Sequence, residues 1–247
     1  MFKNERTDRI MEILKENKYT TVEKLVVELH YSPATIRRDL TYLAEIGLVR
    51  KSYGGVRIEE NAKPLIVREH EMHDEKIKIC KMAADLINDG DFIFIDGTTT
   101  TFFLGEFLEL KKDITVMTSN LKLALLLGEK NINCFVTGGK VVDTGMLAGT
   151  LADDAVKRLT EIDLCFFSVG SLSDDGNLGI AEHFSSMTAE AVRKAKRSVL
   201  LCDSSKMKKS YFVGAFSLSE VDTVISDTEL SEDLRSKFPD TEFIISR

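Results

Sequence analysis

Hydrophobic positions divide the chain into two parts of different rhythm. Up to residue 58 they recur every three or four positions, as on one face of a helix. Ile10, Ile13 and Leu14 mark a first helix over about Glu5–Glu16, with Arg6 and Arg9 on other faces. Leu25, Val26 and Leu29 mark a second over Val22–Leu29, and Ile36, Leu40 and Leu43 a third that opens at Ser32. From residue 92 the pattern changes to short solid apolar runs bounded by turn residues, the signature of strands buried on both faces. They are Phe92–Ile95, Ile114–Met117, Cys134–Val136, Leu164–Val169, Val199–Cys202, Val224-Ile225 and Phe243–Ile245. A helix carrying Ile77, Cys80, Met82, Ala83, Ala84, Leu86 and Ile87 precedes the first run and ends at Asn88-Asp89-Gly90. Helix-like stretches at Thr101–Leu110, Leu121–Glu129, Ala152–Leu159, Ser186–Lys196 and Ser231–Phe238 separate most of the others. Strands alternating with helices predict a doubly wound, mostly parallel α/β sheet. Residues 59–73, with Pro64 and no sustained periodicity, read as a linker. The expected domains are therefore 1–58 and 74–247.

The third helix is the best punctuated. Ser32 is a good N-cap, Pro33 suits the first helical position, and Gly47 suits the stop. Thr20 and Glu23 fit a capping box for the second helix, and only His30 and Tyr31 separate the two. Two short helices joined by so tight a turn are the helix-turn-helix plan, whose second helix enters the major groove of DNA. Thr35, Arg37, Arg38 and Thr41 lie off the buried stripe. Adjacent arginines near a helix start can bond base edges or clamp phosphates. The plainer reading of the same residues is a solvated helix end with Asp39 partly neutralising the arginines.

Thr35-Ile36-Arg37-Arg38-Asp39-Leu40, then Leu43, Gly47-Leu48-Val49-Arg50 and Tyr53-Gly54-Gly55-Val56, resemble the amino-terminal signature of the DeoR family of bacterial transcriptional regulators. The resemblance covers roughly the first 58 residues. It implies a winged helix-turn-helix, with a strand pair turning between Ser52 and Gly55 and flanked by Arg50, Lys51 and Arg57. The DNA-binding residues it implies, with those read above, are Ser32, Thr35, Arg37, Arg38, Thr41, Lys51 and Arg57. Tyr53 stands where the family more often has His.

Charge sharpens this picture. The chain carries −7 over 247 residues, which taken whole disfavours DNA. Residues 1–57 hold 11 Lys or Arg against 8 Asp or Glu, a net +3, which leaves −10 for the rest. A mildly basic head on an acidic body lets the head meet phosphate. So small an excess needs more than one head for tight binding, which points to a homo-oligomer, a dimer or tetramer. With 43% hydrophobic and 30% charged residues, no run near the ~20 residues of a membrane span and no secretion signal, the chain is expected to be cytoplasmic. Cys80, Cys134, Cys165 and Cys202 show no metal-ligand spacing and read as reduced thiols, and neither a metal nor a cofactor is expected.

In open α/β sheets, ligands gather beyond the carboxyl ends of the strands. Here those ends are polar: Asp96-Gly97-Thr98-Thr99-Thr100-Thr101, Thr118-Ser119-Asn120, Thr137-Gly138-Gly139-Lys140, Ser168-Val169-Gly170-Ser171 and Asp203-Ser204-Ser205-Lys206. Hydroxyls and N–H groups at a helix start suit phosphate, and Lys206 offers a full positive charge. Each loop taken alone is also an ordinary cap or turn. Several of the same segments, with Gly176 and Gly179, resemble the DeoR carboxy-terminal sensor domain, which is similar to ribose-5-phosphate isomerase. That resemblance implies a phosphorylated sugar effector. With the loop chemistry it nominates Asp96, Thr98, Thr99, Thr100, Asn120, Gly139 and Lys206. Thr98 replaces a usual Gly, and Val169-Gly170-Ser171-Leu172 replaces a usual Gly-Ala-Asp-Gly, so an expected acid is missing.

The leading expectation is thus a repressor of a sugar-metabolism operon, binding double-stranded operator DNA and controlled by a sugar phosphate. A competing reading is a sugar-phosphate isomerase with an accessory DNA-binding head, using Asp96, Glu182 or Glu190 with Lys206 as base. A nucleotide-dependent enzyme is disfavoured, since neither a Gly-x-Gly-x-x-Gly nor a Gly-Lys-Ser/Thr phosphate loop is present.

Overall fold

The computed structural model describes residues 3–17, 19–45, 49–52, 55–58, 71–142, 145–207 and 214–246. They fall into two compact units, Met1–Glu71 and Met72–Arg247.

The first unit contains α1 (Lys3–Asn17), β1 (Tyr19–Thr20), α2 (Val22–Leu29), α3 (Pro33–Glu45), β2 (Val49–Ser52) and β3 (Gly55–Ile58). Ile10, Ile13, Leu14, Leu25, Ile36, Leu40, Leu43, Val49 and Val56 form its core, so the helical stripes read from the sequence do meet. Burial of each such side chain contributes about 1.5–3 kcal/mol. The wing strands β2 and β3 pair antiparallel from Val49↔Ile58 to Ser52↔Gly55. The wing tip at Tyr53-Gly54 and the helix stop at Gly47 lie outside the described residues, as does most of the linker. Strand β1 was not expected; two residues are too short to show a period, yet they add a third strand beside β3.

Two local expectations are corrected. The N-cap of α2 is Thr21, whose hydroxyl accepts from Lys24 N at 3.2 Å; Thr20 is instead buried in β1. Asp39 does not neutralise Arg37 and Arg38. It is wholly buried and takes Arg6 of α1 through both oxygens, Nε to Oδ2 and Nη2 to Oδ1 (3.1 Å). Arg6 is therefore an inward residue, 8% exposed, with its guanidinium 4.8 Å from the Tyr31 ring centroid. The hydrogen bonds to Asp39 hold the Arg6 guanidinium above its ordinary pKa, against desolvation.

The second unit is built on seven parallel strands: β4 (Phe92–Ile95), β5 (Thr115–Thr118), β6 (Asn133–Val136), β9 (Ile162–Phe167), β12 (Ala195–Leu201), β14 (Thr223–Ser226) and β15 (Glu242–Ile245). Their spatial order is β15-β14-β12-β9-β4-β5-β6. Alternation along the strands feeds two cores. Phe94, Cys165, Phe167, Leu200 and Val224 face one, with residues of α7 (Thr150–Lys157), α8 (Glu182–Lys194) and α9 (Glu232–Lys237). Ile93, Ile95, Val116, Phe166, Val199 and Ile225 face the other, with α4 (His73–Asp85) and α6 (Leu121–Glu129). Helices on both faces make the sheet doubly wound, as the apolar runs imply.

The stretch expected as one helix over Thr101–Leu110 is shorter and broken: α5 (Thr99–Phe102), then two 3₁₀ turns at Phe103–Glu106 and Leu108–Leu110. Gly105 explains part of this, since a Cβ there would lie 2.5 Å from Leu123 Cδ1; the backbone itself packs against α6. Helix α8 ends at Lys194, earlier than expected, because Ala195 already pairs with Ile162 of β9. Two small antiparallel elements also escaped the sequence: the hairpin β7 (Lys140–Val142) with β8 (Met146–Ala148), and the sheet β10 (Ser171–Leu172), β11 (Asn177–Gly179), β13 (Gly214–Ser217). Among the described residues no helix is long and apolar enough to cross a membrane, and no cluster of His, Cys, Asp or Glu is placed to hold a metal.

Candidate functional site

In the first unit the exposed end of α3 is rigidly started. Ser32 Oγ accepts from Thr35 N at 3.2 Å and shares a hydrogen bond with Thr35 Oγ1 at 2.9 Å. Thr41 Oγ1 donates to the Arg37 carbonyl at 2.8 Å. These three hydroxyls stiffen the helix, while Arg37 and Arg38 lie exposed on it. Arg57 is exposed on β3, and its backbone register places it opposite Arg50. Lys51 lies in β2, with its side chain outside the described residues.

In the second unit the chain runs from β4 outward to β5 and β6, then returns to lay β9 on the other side of β4. The carboxyl ends of β4 and β9 thus form a topological switch point, where open α/β sheets bind ligands. Asp96 follows β4 and sits in that crevice at 2% exposure. Its Oδ1 accepts from Thr98 N (3.0 Å), Thr98 Oγ1 (2.8 Å) and Thr101 Oγ1 (2.6 Å). Its Oδ2 accepts from Ser168 N (2.9 Å), which ties β4 to β9. Burial pushes the Asp96 carboxyl up from its ordinary pKa, against those hydrogen bonds. The carboxylate therefore organises the threonine turn from within, and its oxygens are engaged by protein donors.

The neighbouring nominees are placed as follows. Thr98 caps α5. Thr99 and Thr100 are buried; Thr99 Oγ1 accepts from Lys76 Nζ at 3.3 Å and Thr100 O from Cys80 Sγ at 3.1 Å. Asn120 caps α6, accepting from Lys122 N and Leu123 N, and donates to Gly97 O at 3.3 Å. Gly139 has φ 110°, and a Cβ there would lie 2.6 Å from Ala148 O, so it serves the β7–β8 hairpin. Lys206 is half-buried at the end of a 3₁₀ turn that Asp203 caps, and its Nζ has no hydrogen-bond partner among the described residues.

Three further residues stand out. Ser119 Oγ, Ser168 Oγ and Asp203 Oδ2 are buried and have no hydrogen-bond partner among the described residues. They follow β5, β9 and β12, and with Asp96 on β4 they occupy four adjacent strand ends. Native proteins satisfy nearly all buried polar groups, and each orphan costs about 1–3 kcal/mol. Gly97 keeps this edge tight: a Cβ there would lie 2.9 Å from Ser119 Oγ. The signal available in the sequence was the repetition itself, a serine or aspartate within two residues of the ends of β5, β9, β4 and β12. Of the carboxylates considered as isomerase bases, Asp96 is engaged as above, Glu190 pairs with Arg193 (3.2 Å) and Lys194 (3.6 Å), and the Glu182 side chain lies outside the described residues.

Comparison with known proteins agrees with this two-part construction. A model of the DeoR-like helix-turn-helix domain matches residues 6–62, and a model of the DeoR C terminal sensor domain matches residues 71–228. The HTH-type transcriptional regulator GlpR of Haloferax volcanii is 32% identical over 244 residues, covering 96% of this chain and 94% of that protein. The glycerol-3-phosphate regulon repressor of Escherichia coli is 28% identical over 92% of each chain. A solved D-ribose-5-phosphate isomerase in complex with phospho-erythronic acid overlaps 55% of this chain and 54% of its own, with 19% identity and a TM-score of 0.42. With a DeoR-type reading head and a DeoR-type sensor in the family's order, the chain belongs to the DeoR family of transcriptional regulators.

Proposed function

We propose that the protein is a cytoplasmic, homo-oligomeric repressor of a sugar-metabolism operon, and that a phosphorylated sugar or polyol bound at the switch-point crevice controls it. The observation that carries the effector half is the run of unsatisfied buried polar atoms, Ser119 Oγ, Ser168 Oγ and Asp203 Oδ2, on strand ends flanking Asp96. One carboxylate oxygen and two hydroxyls suit a ligand rich in hydroxyl donors. The phosphate end falls to the Thr98–Thr100 turn and Lys206, because a body of charge −10 repels anions at long range and must hold them by local donors. Asn120 and Gly139 shape the crevice, and Asp96 positions the turn. The Escherichia coli relative is a glycerol-3-phosphate regulon repressor, which supports both the repressor and the phosphorylated polyol.

On the DNA side, Arg37 reads a base edge and Arg38 holds phosphate. Ser32, Thr35 and Thr41 set the helix start, and Lys51 and Arg57 work from the wing. Residues 1–58 form the reading head, 59–73 the linker and 74–247 the sensor. One small head buries too little surface for tight binding, so two heads act on repeated half-sites.

A thermal-shift panel of sugar phosphates against their unphosphorylated parents, followed by gel shifts with the hit, tests the effector reading. Stabilisation by the phosphate alone, without turnover, is expected; equal stabilisation by the parent sugar removes the anion site, and turnover restores the isomerase reading. Arg37→Ala should cost about 1–3 kcal/mol of operator affinity and relax one base position, and Arg38→Ala should weaken all sequences alike and flatten the salt dependence. Unchanged gel-shift affinity in both variants would remove the assignment.

A further inference from the structure

The sensor unit begins at Met72, and its first element is α4, so whatever moves the start of α4 moves the end of the linker. That start is weakly built. Met72 holds φ 54° and ψ 37°, a left-handed conformation that residues other than glycine rarely adopt, and its own side chain makes no capping hydrogen bond. Its backbone contribution is the bond from Lys76 N to Met72 O at 2.9 Å.

What seats α4 is a face aimed at the threonine turn. His73, Lys76 and Cys80 recur at helical spacing along that face. The His73 ring meets Phe103 edge-on at 5.0 Å between centroids. Lys76 Nζ donates to Thr99 Oγ1 at 3.3 Å, and Cys80 Sγ to Thr100 O at 3.1 Å. Lys76 is the unusual member. It is 1% exposed, and a lysine is almost never fully buried unless its charge is engaged. An apolar residue would fill that volume without the desolvation cost.

We propose that Lys76 is a positioning residue that transmits occupancy of the threonine turn to the first turn of α4, and so to the linker. The inference rests on the effector reading above and adds the route by which that site is reported. Thr99 Oγ1 accepts from Lys76, which leaves the hydroxyl proton for a ligand oxygen. A hydroxyl that donates to an anion becomes a better acceptor, because hydrogen bonds in series polarise one another. An anion on the turn therefore tightens the Lys76–Thr99 link and favours the ordered start of α4 over its frayed alternatives. A ligand that binds one of two arrangements better shifts the population toward it, and the coupling is reciprocal.

Hydrogen exchange on the full chain, with inorganic phosphate as the probe, tests this. In wild type, phosphate should slow exchange in a peptide spanning 97–103 and also, by about threefold or more, in one spanning 72–79. In Lys76→Met the slowing at 97–103 should persist while that at 72–79 disappears, and Lys76→Arg, which keeps the donor and charge, should restore it. Slowing confined to 97–103 in wild type overturns the coupling and leaves the anion site standing, and this arm needs no variant to fold. Equal slowing at 72–79 in Lys76→Met overturns it too, since a merely structural lysine would give that result. Absence of any slowing at 97–103 in wild type removes the anion site and the coupling together.

Discussion

The two edges of the seven-stranded sheet are made of the same residue types and treat them differently. At the amino-terminal edge, acids close the structure. Asp163 at the start of β9 accepts from Phe92 N (2.8 Å) and Lys196 Nζ (2.8 Å). Asp222 accepts from Ser198 N (2.7 Å) and Ser198 Oγ (2.8 Å), and Arg197 pairs with Glu242. Each carboxylate there holds neighbouring strands together. At the carboxyl edge, Asp203 spends one oxygen on its own turn through Ser205 and leaves the other buried and unmatched, beside the unmatched hydroxyls of Ser119 and Ser168. Polar groups that serve folding have their partners inside the chain. The unmatched groups are held in place by folding and left incomplete by it, as the proposed effector site requires. At the second edge Asp96 and Asp227 also close the structure, so substitutions at the first edge are expected to act on stability, and at the second only those at the unmatched groups on binding.

The largest expected effect is at the carboxyl edge. Asp203→Asn keeps an oxygen for Ser205 but replaces the unmatched acceptor with a donor. A hydrogen bond to a charged group is worth about 1.5–3 kcal/mol, so calorimetry with the effector should show a loss of roughly tenfold or more. The unliganded melting curve should stay within about 0.5 kcal/mol of wild type. A variant that binds normally but melts early would erase the contrast between the edges. The counterpart at the other edge is Asp222→Ala. It strips the acceptor from the buried Ser198 N–H and should cost about 1–3 kcal/mol in urea unfolding, with effector affinity unchanged once folded. A fall in affinity with no fall in stability would reverse the assignment.

The smallest effect concerns pH. The bond from Lys196 first, then that from Phe92 N, hold the Asp163 carboxyl below its ordinary pKa. A depressed folded-state value means stability present above the unfolded value, about 3.9, and lost as pH falls through the folded one. The Asp163 side chain is 31% exposed, so the contribution is under about 1 kcal/mol. Asp163→Asn should therefore flatten the acid limb of the stability curve below about pH 4. An unaltered limb would show that this pair does not close the sheet.

How far the sequence carried this depended on range. Strand order aside, the sheet was legible because residues such as Phe92–Ile95 and Leu164–Phe167 are apolar on both faces, which only a doubly covered strand tolerates. The start of α3 was legible because capping is local: Ser32 and Thr35 are three residues apart. The Arg6–Asp39 pair spans 33 residues and needed the packed core to bring it together. Lys76 went unmarked, because nothing local distinguishes a buried lysine from a solvated one. At the candidate site the polar strand ends were visible, but their division of labour was not. Asp96 and Asn120 looked like ligand contacts because they are acid and amide in the right loops. Their atoms are bonded within the chain, while plain serines at 119 and 168 are not.

The inward-facing Asp39 also bears on how a genetic screen of α3 should be read. Arg37, Arg38 and Asp39 are consecutive, and on the proposed assignment loss of any of them weakens repression, which a colony assay at one temperature does not tell apart. Their temperature behaviour separates them. Without Asp39, Arg6 becomes a buried charge lacking its counter-ion, at a cost of about 3–5 kcal/mol, so such alleles fail on warming and recover on cooling. Alleles at the two exposed arginines leave the fold alone, so their defect is expected to be the same at every permissive temperature. Three neighbouring codons thus yield two kinds of mutant, one conditional and one absolute.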